Sequence, residues 1–177
     1  RRVLFRSHIR GDLVDKHKDT AAMLIESGMR GCHIGVETLH KQASKAISKP
    51  WSGNKAKDWI PKIKQDVWKN VNVTVNLIVG LPYEPLKSMA ETLYWVLENK
   101  LSAVFYCYGV IQEAREENPS YIGKNHSLYG IEFNEDKWYT EITNELEMVH
   151  TRDYFNLKVS KTTPPDSWDT NLLTGYG

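Results

Sequence analysis

Several things are scarce in this chain, and each shortage removes a class of explanation. Its 177 residues hold two cysteines, Cys32 and Cys107. Neither a disulfide framework nor a Cys-x-x-Cys metal knuckle can be built from them. No apolar run reaches the roughly 20 residues that a membrane-spanning helix needs, and no signal-peptide pattern is present. Charge is balanced: 23 Lys and Arg stand against 22 Asp and Glu, a formal net charge of +1. That balance argues against a general nucleic-acid binder or a protein of anionic membrane surfaces. The default expectation is a cytoplasmic protein in a reduced setting, with no nucleic-acid and no membrane partner. There is no low-complexity segment and no repeat longer than one strand–helix unit.

What the chain does have is a buried strand that feeds a helix. Residues 73–85 read Val-Thr-Val-Asn-Leu-Ile-Val-Gly-Leu-Pro-Tyr-Glu-Pro. The run is too rich in β-branched residues for a helix and is apolar on both parities, the pattern of a strand buried on both faces in a parallel sheet. Gly80 and Pro82 end it, and Pro85 stands where a helix would start. Val73, Val75, Leu77 and Val79 share one face, while Thr74, Asn76, Ile78 and Gly80 share the other. Ligands of such folds sit beyond the carboxyl ends of the strands. Asn76 is therefore either a buried amide bonded to neighbouring backbone or a ligand contact.

The same alternation runs through most of the chain. Residues 7–14 read as a short extended piece. A helix follows, capped by Asp19 or Thr20, with Ala21, Leu24 and Ile25 on one side and Gly28 as its stop. Residues 31–37 form the next strand, and 40–49 a short amphipathic helix before Pro50. Asp58 can cap a further helix that tolerates Pro61 in its first turn and turns Trp59, Ile60, Ile63 and Val67 inward. After the central strand, Leu86, Met89, Ala90, Leu93 and Leu97 make a helical stripe, and 102–110 is another strand, with Tyr106 and Tyr108 either reaching substrate or, in the plainer reading, packing in the core. Alternation of this kind implies right-handed crossovers and a parallel sheet. From 113 to 134 no period is clear, which reads as loop. Trp138, Ile142, Leu146 and Val149 suggest one more helix, and Phe155, Leu157 and Val159 alternate like a lone strand.

The first residues stand apart. Arg1-Arg2-Val3-Leu4-Phe5-Arg6-Ser7 resembles an in-frame translation of a short-read sequencing adapter. Residues 1–7 are accordingly expected to be an artefact outside the fold, with the natural protein beginning further upstream. The alternative is an ordinary basic N-terminal strand or an Arg-rich arm.

Two strand ends together resemble a known family. Gly31-Cys-His-Ile-Gly35-Val-Glu37, then a short helix ending in Lys49, then Asn76-Leu-Ile-Val-Gly80-Leu-Pro82, are similar to the radical S-adenosylmethionine (SAM) superfamily. The closest groups are its cobalamin-binding members and the oxygen-independent coproporphyrinogen oxidase-like enzymes. The resemblance covers residues 8–111 and implies an α/β fold, the C-terminal part of a partial parallel (β/α)6 barrel at 8–112. A small α+β variable segment follows at 113–177. It also implies site roles. Glu37 and Asn76 would hydrogen-bond the SAM ribose, and Lys49, twelve positions after Glu37, would meet the methionine carboxylate. Ile78 would pack on the adenine with the Gly80 backbone close by. Such a zwitterionic nucleoside does need hydroxyl partners, a cation and an apolar shelf. The resemblance assigns no catalytic side chain.

The superfamily's Cys-x3-Cys-x2-Cys motif, which holds a [4Fe–4S] cluster through thiolates, is absent here, and so are two strand–helix units. The expectation is a fragment of a radical SAM enzyme that binds SAM but, alone, holds no cluster and no metal. Its missing partner would be the N-terminal half of its own barrel. The substrate implied is a small molecule or peptide of unassigned identity, and a cobalamin domain in the parent stays open. Two other readings stand beside this one: a non-catalytic α/β binding domain, and a piece of an unrelated (β/α)8 barrel with Glu37 as a strand-end acid. His17, His33 and His40 lack metal-ligand spacing and read as surface or strand histidines, and Glu113, Glu116 and Glu117 as a solvated charge run.

Overall fold

A computed structural model of the protein describes residues 4–49, 51, 53–109, 121–134 and 137–162. Its centre is a four-stranded sheet, β1 (Phe5–Ile9), β2 (Met29–Glu37), β3 (Asn72–Val79) and β4 (Ser102–Cys107). The strands lie in sequence order and every neighbouring pair is parallel. Helices α1 (Gly11–Lys16), α2 (Thr20–Glu26), α3 (Lys41–Ala46), α4 (Gly53–Asp66) and α5 (Leu86–Glu98) make the crossovers. Parallel strands in chain order with helical crossovers are the pattern of part of a (β/α) barrel.

Burial explains the order. Val73, Val75, Leu77 and Val79 on β3 are all buried, as are Cys32, Ile34 and Val36 on β2. Apolar burial is the main driving force, and at two central strands it is nearly complete. Asn76 and Ile78, on the opposite parity, stay half-buried and leave that face partly open. A tryptophan group closes the helical layer. Trp51, Trp59 and Trp68 meet edge to face, with ring centroids 5.1 and 5.8 Å apart. The Trp68 indole N–H donates to the Ala21 carbonyl at 3.1 Å.

Helix α4 begins at Gly53 rather than at Asp58, which lies inside it. Any side chain at 53 would run into the Leu39 carbonyl, so glycine lets the helix start earlier than a capping acid suggests. Pro61 is consequently well inside the helix, where its missing N–H leaves the Lys57 carbonyl without its helical donor. The Trp95 indole N–H, arriving from α5, donates to that carbonyl at 3.2 Å.

The extended piece expected at 7–14 is strand only to Ile9. Gly11 lies against the Trp51 ring and opens α1, with Asp12 in its first turn paired to Arg10. Phe5–Ser7, expected to stand outside the fold, form the first part of β1 and pair with β2. On α5 the buried stripe is Met89, Leu93, Trp95 and Val96, while Leu86 is exposed.

The C-terminal segment departs most from expectation. Residues 121–134 are not loop. They hold α6 (Tyr121–Lys124), a 3-10 turn (His126–Tyr129) and β5 (Glu132–Asn134), which pairs antiparallel with β6 (Lys137–Tyr139). Trp138 therefore sits on a strand, and the last helix, α7 (Glu145–Thr162), begins beyond it. Phe155 and Val159 belong to α7, not to a lone strand. They are four residues apart, so both are buried on one helical face, and Leu157 between them points to solvent. The acidic run 113–117 lies outside the described residues.

Helix α7 covers the free edge of β4. The Asn156 amide accepts from the Phe105 N–H at 2.9 Å and donates to the Phe105 carbonyl at 3.0 Å. One side chain thus supplies both hydrogen bonds that a further strand would give at that residue. Asn156→Ala is expected to cost about 1–3 kcal/mol, because it leaves both Phe105 backbone groups unpaired. In urea denaturation the midpoint should fall while the slope stays constant; an unmoved midpoint would mean that water replaces the amide at no cost.

Candidate functional site at the ends of β2 and β3

The two central strands do not end alike. Gly35 pairs with Asn76, but Glu37 pairs with Leu77, so β2 gains one residue in the last step. The slip carries β2 into a tight turn in which the Thr38 N–H donates to the Val36 carbonyl at 2.9 Å. Glu37, at the turn's centre, has φ of 67°, a left-handed conformation that costs a non-glycine residue energy. The turn folds the Glu37 side chain back over Gly35. A Cβ at 35 would stand 2.7 Å from Glu37 Oε1 and 3.7 Å from Lys49 Nζ. Gly35 is thus the floor on which the carboxylate rests.

Lys49 Nζ pairs with Glu37 Oε1 at 3.0 Å, its side chain 38% exposed against 18% for Glu37. Asn76 lies beside Gly35 on the next strand, and its Oδ1 is 3.3 Å from His33 Nδ1. With Nδ1 protonated, His33 donates to that oxygen and leaves the Asn76 amino group for another acceptor. Three of the expected site residues, Glu37, Lys49 and Asn76, therefore gather around Gly35 on one face. Ile78 follows two residues beyond Asn76 on the same parity and is half-buried. Gly80 is placed differently. At φ 87° it packs against Trp138 and Met148, which a Cβ would approach to 2.8 and 2.9 Å. The Trp138 indole N–H is tied to the Tyr108 carbonyl at 2.9 Å. The C-terminal segment, not open space, covers the end of β3 at that point.

Four further residues matter here, and two of them, Thr38 and Glu84, stand at the two strand-end motifs in the sequence. His33 is buried, and its ring lies 4.9 Å from that of His8. Trp138 reads as a helix residue and turns out to cap β3. Thr38 and Glu84 form a buried link between the two strand ends. The Thr38 hydroxyl donates to Glu84 Oε2 at 2.8 Å and accepts from the His40 N–H at 2.8 Å. The Ser88 hydroxyl reaches Glu84 Oε1 at 3.3 Å. Glu84 is only 3% exposed. Burial pushes its carboxyl up from 4.5 to about 7, against the opposing pull of the two hydroxyl donors. A glutamate directly after Gly-Leu-Pro-Tyr was the available clue, because that corner has to stay near the sheet.

The thiols do not suit an iron–sulfur cluster. Cys32 on β2 and Cys107 on β4 are separated by β3, and burial pushes them up to about 12 and about 11. A cluster needs several thiolates together, and these are two isolated, protonated thiols. Among the described residues no group of three His, Cys, Asp or Glu could hold a metal ion, and no helix is long and apolar enough to cross a membrane.

No protein-family model matches the chain, and no curated protein matches it. Among solved structures it resembles coproporphyrinogen III oxidase (HemN) from Escherichia coli, described as a radical SAM enzyme. The TM-score is 0.60 at 14% identity, and the match covers 89% of this chain but 33% of that one. The chain thus spans about a third of that protein, and the likeness is one of fold.

The Glu84 carboxyl gives the site a pH signature. Its folded value lies above its ordinary one, so the fold favours the neutral acid. Its stabilising contribution is complete below pH 4.5 and is lost as pH rises through about 7. The loss amounts to about 3 kcal/mol at most. Glu84→Gln, neutral at every pH, should gain on the wild type in thermal melts between pH 5 and pH 8. A constant difference across that range would show that Glu84 is ionised throughout.

Proposed function

We propose that this chain is the SAM-binding portion of a radical SAM-type barrel, with Glu37, Lys49 and Asn76 as polar contacts and Ile78 as the shelf for adenine. The observation that carries the reading is the gathering of the first three around Gly35, at the carboxyl end of a parallel sheet whose fold resembles part of HemN.

The chemistry of the three groups is complementary to a nucleoside that bears an amino acid. Glu37 is an acceptor for ribose hydroxyls, and the Asn76 amino group can donate to a hydroxyl oxygen. Lys49 is exposed enough to keep its charge while it meets a carboxylate. Without ligand the Glu37–Lys49 pair satisfies itself, and being partly exposed it is worth little. Binding can therefore exchange it for a carboxylate on Lys49 and a hydroxyl on Glu37 at small cost. The turn at Glu37 is the strained element, and strain of this kind is kept where the orientation of a side chain matters.

In the parent enzyme a reduced [4Fe–4S] cluster would supply the electron for 5′-deoxyadenosyl radical chemistry on SAM, and Glu37, Lys49, Asn76 and Ile78 would hold and orient the SAM. The thiols described here do not fit that cluster, so the part assigned to this chain is binding and orientation. The parent enzyme's activity, its small-molecule or peptide substrate and the other barrel strands beyond the edge of β1 belong to the same proposal.

Calorimetric titration with SAM tests the reading. Asn76→Ala should weaken binding by about 1–3 kcal/mol, the scale of a lost buried polar partner. Lys49→Ala should weaken it too, and should flatten its dependence on salt because a screened ion pair is gone. Absence of SAM binding by the chain, or variants that bind as the wild type does, would leave only the fold.

A further inference from the structure

A concavity of about 370 Å³ opens beyond the carboxyl end of β3. It lies between the turn that carries Leu81, Tyr83 and Glu84 and residues of 129–132 and 139–143. Its walls are aromatic and held in place. The Tyr83 hydroxyl donates to the Leu128 carbonyl at 3.3 Å, and its ring lies 6.1 Å from that of Tyr129. Tyr139 faces Glu132 across the β5–β6 hairpin and donates its hydroxyl to Glu132 Oε2 at 2.7 Å.

The remaining wall is a closed turn. The Thr140 N–H donates to the Thr143 carbonyl at 2.8 Å, while Thr140 Oγ1 accepts from the N–H groups of Ile142 and Thr143 at 3.2 and 3.1 Å. That turn holds Glu141 at the cleft. With the Tyr83 hydroxyl tied to Leu128 and that of Tyr139 to Glu132, these two tyrosines contribute ring surface to the cavity. Among the described residues that line it, no Lys, Arg or His occurs, and the charged side chains are Glu132 and Glu141, with Glu84 buried at its border.

We propose that this cleft binds an organic cation, a small molecule that joins an ammonium or guanidinium group to a flat or apolar body. Tyrosine rings attract a cation through their negative faces, and the two exposed carboxylates add a counter-charge at the rim. An anion meets only like charge here, and a neutral molecule gains the ring contact without the carboxylates. The volume suits a ligand of small-molecule size. None of Glu37, Lys49, Asn76 or Ile78 lines the cleft, so this site goes beyond the SAM reading and stands or falls separately.

Benzylamine, benzyl alcohol and benzoate share one ring and differ in charge, which makes them suitable probes. Titrated into the isotopically labelled chain, benzylamine should shift the amide signals of Tyr83, Gly130 and Ile142. It should bind about tenfold tighter than benzyl alcohol, while benzoate should not bind detectably. The double variant Glu132→Gln/Glu141→Gln should remove that preference and still fold, since both side chains are on the surface and an amide oxygen at 132 can still accept from the Tyr139 hydroxyl. Tyr83→Leu, which keeps an apolar wall without the ring, should also weaken benzylamine. Asn76→Ala should leave benzylamine binding unchanged. Equal binding of amine and alcohol, a preference that survives in the double variant, or signal changes centred on Glu37 and Asn76 would each overturn the proposal.

Discussion

The hydrogen bond from Thr38 to Glu84 is the contact on which both sites depend. It joins the residue that directly follows β2 to the corner that follows β3, in a place from which water is excluded. Thr38 is the next residue after Glu37, so its position sets the tight turn that lays the Glu37 carboxylate over Gly35. Glu84 is the next residue after Tyr83, so the same bond sets one wall of the aromatic cleft. A buried carboxyl is expensive unless its oxygens are engaged, and here both are, by Thr38 and by Ser88 at the start of α5. The arrangement converts that expense into a defined spacing between the strand ends.

The rest of the fold serves to hold those ends in place. Parallel strands buried on the helical side supply rigidity, and polar side chains finish what regular structure leaves undone. Asn156 completes the backbone hydrogen bonding of an edge strand, Trp95 takes up the carbonyl that Pro61 leaves unpaired, and Trp68, just beyond α4, ties that end of the helical layer to α2. In the first two cases a side chain meets a backbone group that regular structure leaves without a partner. The C-terminal hairpin and α7 act likewise at the sheet's carboxyl end, where Trp138 and Met148 close over Gly80. They leave the Glu37–Lys49–Asn76 face partly open and build the cleft beside it.

Legibility differed sharply along the chain. The strand at 73–79 is readable because β-branched and apolar residues on both parities fit neither a half-buried strand nor an amphipathic helix, and that at 31–37 because Cys32, Ile34 and Val36 alternate with His33, Gly35 and Glu37. Asp58 stands out as a cap while Gly53 starts α4, since a glycine needed for close backbone approach looks like a loop glycine until its neighbour is known. Phe155, Leu157 and Val159 fit a period of two as well as they fit a helix whose buried positions are four apart. Nothing local separates those patterns; the separation comes from the edge of β4, which needed a helix to cover it. Trp138 likewise fits a helical period locally, while its indole N–H finds its acceptor, the Tyr108 carbonyl, thirty residues earlier in the chain.

Side-chain parity, with glycine and proline, acts within a few residues, and it is enough to make the chain α/β, its central strands parallel and adjacent, and Asn76 and Ile78 residents of the face away from the helices. Tertiary packing is what returns Lys49 to within 3.0 Å of Glu37, brings His33 to Asn76 and lets Thr38 reach Glu84. It alone laid Trp138 over Gly80. Each of these contacts joins residues far apart in sequence, and the register slip at the end of β2 that permits the first of them is a single extra residue, invisible until a neighbouring strand exists to count against.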